Sequence, residues 1–165
     1  MIKIIIASAR ACCRVVRQFN NRVFYLLDED MPWDEARDRC RQGHTGYLAV
    51  ANTCSVQEFD FLRKIYDVYR AAGGKSRSVW IDGRFDPVDY VWRCLSNADG
   101  LCRSGMPWAE EQGGPANCVL IWGTYAQGVT NAECNSKMSA ICATHRYVIC
   151  LKLFIMPVFL QSNNV

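Results

Sequence analysis

The sequence predicts a single α+β domain braced by disulfides, and three observations carry that expectation. Apolar periodicity runs in the order strand, helix, strand, helix and then several short strands. Ten cysteines, an even and large number, point to an oxidising compartment and a disulfide framework. Residues 83–115 offer only one good strand, yet they carry Trp92, Trp108, Cys94 and Cys102. A loop that long is functional or disordered, and its aromatics and cysteines favour a pinned, functional one.

The elements follow in order. RVFYLL, residues 22–27, is rich in β-branched and aromatic side chains and reads as a strand. In MPWDEARDRC, Pro32 suits the first helical position and Asp34 and Glu35 favour the positive helix end. Arg37, Arg39 and Arg41 favour the other end, while Trp33, Ala36 and Cys40 form one apolar stripe toward a core. GYLAVAN, residues 46–52, is a short strand. Ser55-Val56-Gln57-Glu58 is a capping box that opens a second helix. Val56, Phe59, Leu62, Tyr66 and Tyr69 keep its helical spacing until Gly73-Gly74 stops it. SVWIDG, YVWRC, NCVLIW and SAICAT are short strand-like runs between turn residues.

At 165 residues with half of them apolar, the chain has the length of one domain with a substantial core. A net charge of +3, with the arginines of DEARDRCR among acids, gives no nucleic-acid footprint. Zinc is disfavoured, because Cys40-x3-His44 and Cys142-x2-His145 lack the usual ligand spacing. No H-E-x-x-H, G-x-S-x-G or phosphate-binding glycine loop occurs, so an enzyme is not expected. MIKIIIASARACC has too short an apolar run for a secretory leader, and no N-x-[ST] acceptor is present. YVICLKLFIMPVFL, residues 147–160, is broken by Lys152 and Pro157 and too short for a bilayer span, so no transmembrane helix is expected.

The motifs together resemble C-type lectin-like domains. Trp33-x2-Ala36-x3-Cys40 looks like that family's first-helix motif, and Gly46-Tyr47-Leu48-Ala49 like the strand after it. Glu58 with Phe61-Leu62 is similar to the second helix. Val79-Trp80-Ile81-Asp82-Gly83 resembles the WIGL core motif, with Asp82 where Gly is usual. Trp92 and Trp108 match the two tryptophans of the long loop region, and Cys118, Cys134 and Ile141-Cys142 match the cysteine frame. The resemblance implies two helices packed on small antiparallel sheets, with residues 22–145 forming the domain. Residues 1–21 and 146–165 then stand outside it as an N-terminal segment and an apolar tail. It also implies the disulfides Cys40–Cys142 and Cys118–Cys134. A third bridge, Cys94–Cys102 across LSNADGL, is suggested by spacing alone. Cys54 and Cys150 are unassigned, and Cys12 or Cys13 is left for a bridge to a second chain.

The resemblance further implies secretion and carbohydrate binding or innate immune recognition. In sugar-binding members of the family, a calcium ion in the long loop is held by a Glu-Pro-Asn or Gln-Pro-Asp triplet, a Glu before the next cysteine, and an Asn-Asp pair. The corresponding places here are Gln112-Gly113-Gly114, Ala116 and Thr130-Asn131. Gln112, Gly114, Ala116, Thr130 and Asn131 include no carboxylate, and calcium affinity follows the number and charge of its oxygen ligands. The triplet's rigid proline turn is missing as well. The expectation is therefore no cofactor, with calcium held at most weakly by Gln112 and Asn131. The expected function is calcium-independent recognition of a glycan or protein through Glu111, Gln112, Asn117, Trp122 and Asn131. Trp122, in IWGTY, is the tryptophan most suspected of exposure. The alternatives are a weak calcium-dependent lectin, which Asn131→Ala would disable, and a structural matrix protein, which would self-associate.

Overall fold

The computed structural model describes residues 13–19, 22–44, 46–49, 56–94, 108–109, 117–123 and 128–145. Its elements are β1 (Cys13–Phe19), β2 (Arg22–Met31), α1 (Trp33–His44), β3 (Tyr47–Leu48) and α2 (Val56–Ala71). They continue as β4 (Ser78–Asp86), β5 (Val91–Arg93), β6 (Cys118–Trp122), β7 (Val129–Ala132) and β8 (Met138–His145).

These strands form one sheet with the main order β1-β2-β8-β4-β6-β7, β3 pairing with β8 and β5 with β4. Where the resemblance implies small antiparallel sheets, the described strands are continuous and mixed. β4 runs parallel to β8, with Val79 beside Ser139 and Trp80 beside Ala140. All other described pairings of named strands are antiparallel.

Strand alternation divides the core into two layers. Val79, Ile81, Val119 and Ile121 pack with Leu62, Ile65 and Tyr69 of α2. Trp80, Cys118 and Leu120 pack with Trp33, Ala36 and Cys40 of α1, so the expected apolar stripe is fully buried. The two deepest indoles keep their N–H groups satisfied: Trp33 Nε1 donates to the Ile81 carbonyl and Trp80 Nε1 to the Met31 carbonyl, both at 2.9 Å. α2 ends at Ala71; Gly73 beyond it has a φ of 82°, which suits glycine, and the Gly74 N–H bonds back to the Tyr69 carbonyl at 3.0 Å.

Two disulfides fasten the layers. Cys40–Cys142 ties α1 to β8 across a sequence separation of 102, and Cys118–Cys134 closes a separation of 16 at the start of β6. Both pairings match those the resemblance implies. With Cys40 and Cys142 bonded to each other, neither is available as a zinc thiolate.

Several elements differ from the sequence reading. β1 is not among the expected elements, yet it pairs with β2 from Cys13↔Leu27 to Phe19↔Arg22. β2 runs on through the charged Asp28-Glu29-Asp30 to Met31, where pairing with β8 resumes beyond an irregularity. The strand expected over 46–52 is only Tyr47–Leu48, with Ala49 N–H bonded to the Ile141 carbonyl at 2.8 Å; residues 50–52 lie outside the described ones. Pro32 stands one residue before α1, its carbonyl accepting from the Ala36 N–H at 2.9 Å. Glu58 is buried and its carboxylate binds Arg22 of β2, while its expected capping partner Ser55 lies outside the described residues. Burial alone would lower the Arg22 pKa, but hydrogen bonding to Tyr47 and attraction to Glu58 together outweigh it, so the pKa is raised.

Candidate functional site

The expected ligand region is built on the β6–β7 ladder. Val119 pairs with Asn131, Leu120 with Thr130 and Ile121 with Val129. Directly paired residues share a face. Asn131 therefore projects on the side of Val119 and Ile121, while Thr130 turns with Leu120 into the layer beneath α1 and is 6% exposed. Alternation carries Asn117, two residues ahead of Val119, toward the same side as Asn131. Both asparagines are half-buried.

The long loop is anchored on that side. Trp108 bridges to Val129, and the Ala109 N–H donates to the Val129 carbonyl at 2.9 Å. The ring of Trp108 packs on Trp92 with centroids 4.7 Å apart, and Trp92 packs on Phe85 at 5.4 Å. Phe85 N–H in turn donates to the Asn117 carbonyl at 2.8 Å. Three aromatic rings and two backbone bonds thus fix the base of the loop beside Asn117 and Asn131. Such stacked and tilted rings add about 0.5–1.5 kcal/mol per pair beyond their burial.

Trp122 is 41% exposed, as suspected, but it alternates with Leu120 and so lies on the other face, across from Ser78. The register puts Asn117 and Asn131 on one side of the sheet and Trp122 on the other. Glu111 and Gln112, with Gly114 and Ala116, lie outside the described residues. Cys94 is fully buried and disulfide-bonded, and its expected partner Cys102 lies outside the described residues. Cys12, Cys54 and Cys150 lie outside them too.

Arginine–aspartate pairs shift two carboxylates of the domain. Arg93 hydrogen-bonds Asp86 at 2.7 Å, and with the Val88 N–H this lowers the Asp86 pKa from the ordinary 3.8. On α1, the hydrogen bond from Arg37 lowers the pKa of exposed Asp38. Asp82, standing where the family's motif has Gly, is 2% exposed; its N–H donates to the Ala49 carbonyl at 2.7 Å. The Arg37 pKa is raised, chiefly by its hydrogen bond to Asp38.

One surface escapes the sequence reading. The turn between β4 and β5 exposes Val88 and Tyr90 almost completely. The signal for it was Asp86-Pro87, a turn opener.

The Lectin C-type domain family model matches residues 29–144. Human lithostathine is similar in structure, with a TM-score of 0.65 at 19% identity, covering 79% of this chain and 96% of its own. Herring type II antifreeze protein gives 0.63 at 20% identity, covering 79% and 95%. The mouse scavenger receptor C-type lectin carbohydrate-recognition domain gives 0.61 at 20% identity, covering 79% and 94%. At these identities the structural likeness speaks for the fold.

Proposed function

The chain belongs to the C-type lectin domain family, and from that membership we propose that it is an extracellular, non-enzymatic recognition module. Its ligand is a carbohydrate or a protein, bound beside the long loop without the calcium ion of the family's sugar binders. One observation carries the reading. At the family's calcium positions the described residues are Thr130, turned into the core, and Asn131, which bears no charge. Uncharged asparagines on a rigid aromatic base suit direct hydrogen bonding to hydroxyls or amides better than caging a divalent ion.

Its disulfides support an oxidising, extracellular location. No described helix is long and apolar enough to cross a membrane. Nothing in the charge pattern calls for nucleic acid, and an intermolecular bridge through Cys12 or Cys13 belongs to the proposal only as a route to a covalent dimer.

The test is a glycan array probed with oxidised protein in excess chelator and again in millimolar calcium. Binding that survives chelator and is lost in Asn131→Ala supports the reading. Binding seen only with calcium overturns it in favour of a calcium-dependent lectin.

A further inference from the structure

Two exposed apolar features sit at opposite ends of β4 and carry opposite charge. At the C-terminal end, Val88 and Tyr90 are 83% and 81% exposed. Tyr90 has a φ of 55°, a left-handed conformation that side chains other than Gly and Asn seldom adopt. The turn is held around it. Asp86 Oδ1 accepts from the N–H groups of Val88 at 2.9 Å and Asp89 at 3.4 Å, and Arg93 binds both carboxylates. The Tyr90 ring meets Phe85 edge-on, with centroids 6.2 Å apart. Strained residues fixed by their surroundings in this way concentrate at binding surfaces. The tip carries Asp86 and Asp89 on Arg93, with Arg84 across the ladder from Arg93 and paired to Asp34, so three carboxylates face two guanidinium groups.

At the N-terminal end of β4, Ser78 pairs with Trp122. Arg63 donates to the carbonyls of Trp122 at 2.8 Å and Gly123 at 3.1 Å, and the Gly123 N–H donates to the Arg77 carbonyl at 3.1 Å. Arg70 reaches the Gly74 and Ser76 carbonyls just ahead of Arg77. Arg70, Lys75 and Arg77 are exposed. Arg63 and Arg77 thus adjoin an exposed tryptophan, with Arg70 and Lys75 in the segments that lead to Arg77 and Asp67 paired to Arg63.

We infer that these are the two halves of one interface between copies of this chain, the acidic Tyr90 tip of one molecule docking on the basic Trp122 patch of the next. Each half presents an exposed aromatic, the residue class that anchors interfaces, and the two are opposite in sign. A nine-residue strand holds them roughly 25–30 Å apart, so one molecule cannot satisfy both. Unlike patches that meet on successive copies join them head to tail, as a ring or a filament. Neither half includes Asn117, Asn131 or the long loop, so this association stands apart from the proposed ligand site.

Sedimentation velocity on the oxidised full chain, across low to high micromolar concentration, tests it. The sedimentation coefficient rises with concentration in dilute buffer and falls back in 1 M salt, where the screening length shrinks to about 3 Å. Asp89→Arg alone, and Arg77→Asp alone, each weaken association about tenfold or more, and mixing the two variants restores it. Both substitutions lie on the surface, and unchanged circular dichroism and thermal midpoints confirm that the variants fold. Tyr90→Ser weakens association without changing charge. A monomer at every concentration overturns the proposal, as does association that neither charge change affects. Association that persists in 1 M salt and vanishes only on reduction also overturns it, assigning the contact to an intermolecular disulfide.

Discussion

Asn131 and Trp122 belong to neighbouring strands but project from opposite faces of the sheet. The register fixes this: Asn131 lies across from Val119, whereas Trp122 alternates with Leu120 in the other layer. In the proposed site, a ligand beside the anchored loop would touch the first residue and not the second.

Asn131→Ala therefore weakens ligand binding by about 1–3 kcal/mol, the effect of removing a buried polar partner. Trp122→Ala leaves that affinity unchanged. Titration calorimetry with the best glycan from the array checks both. Equal losses from the two substitutions would contradict the division of the site.

The two disulfides differ in the loop they close. In the chain-entropy model, removing Cys40–Cys142, with a separation of 102, costs roughly 4–5 kcal/mol. Removing Cys118–Cys134, with a separation of 16, costs roughly 3 kcal/mol. Paired Cys→Ala variants followed by guanidinium unfolding rank them. If the shorter closure proves the more stabilising, strain or residual structure outweighs chain entropy here.

Arg22 links β2 to α2 through the buried carboxylate of Glu58. Arg22→Met strips a charge-assisted partner from that carboxylate and lowers stability by about 2 kcal/mol, read from the denaturant midpoint. A loss below about 0.5 kcal/mol, the scale of an exposed ion pair, would show that the carboxylate is otherwise satisfied.

The tip aspartate makes stability depend on acid. The pKa of Asp86 is lowered from 3.8 by the Arg93 hydrogen bond and the Val88 N–H. Its contribution is fully present above the unfolded value and is lost as pH falls through the depressed native one. Asp86→Asn should lower the thermal midpoint at neutral pH, with the gap to the unmodified protein closing as pH falls below 3.8. A gap that widens in acid would reverse the sign of the assignment.

Much of this fold was legible because its signals are local or ordered along the chain. The Trp33, Ala36 and Cys40 stripe and the apolar runs of β4, β6 and β8 are read from periodicity, and the cysteine frame from the order of its motifs. β1 and β7 were not, since VTNA has little strand character of its own and gains its place through pairing with β6. Glu58 reads locally as a cap, and its ion pair with Arg22, distant in sequence, has no signal in that local pattern. The facing of Trp122 depends on register, which a single strand pattern does not reveal. Of the expected ligand set, Asn117 and Asn131 fall on one side of the sheet, while Glu111 and Gln112 stand outside the described residues.

Recognition without calcium is put to the test by thermal unfolding of the oxidised protein. Midpoints are compared in millimolar calcium and in excess chelator. A ligand that binds only the native state raises the midpoint, by about 2.7 kcal/mol of stability at a hundredfold excess over its dissociation constant. The two curves are expected to coincide. A midpoint several degrees higher in calcium would contradict this and restore the family's metal to this loop.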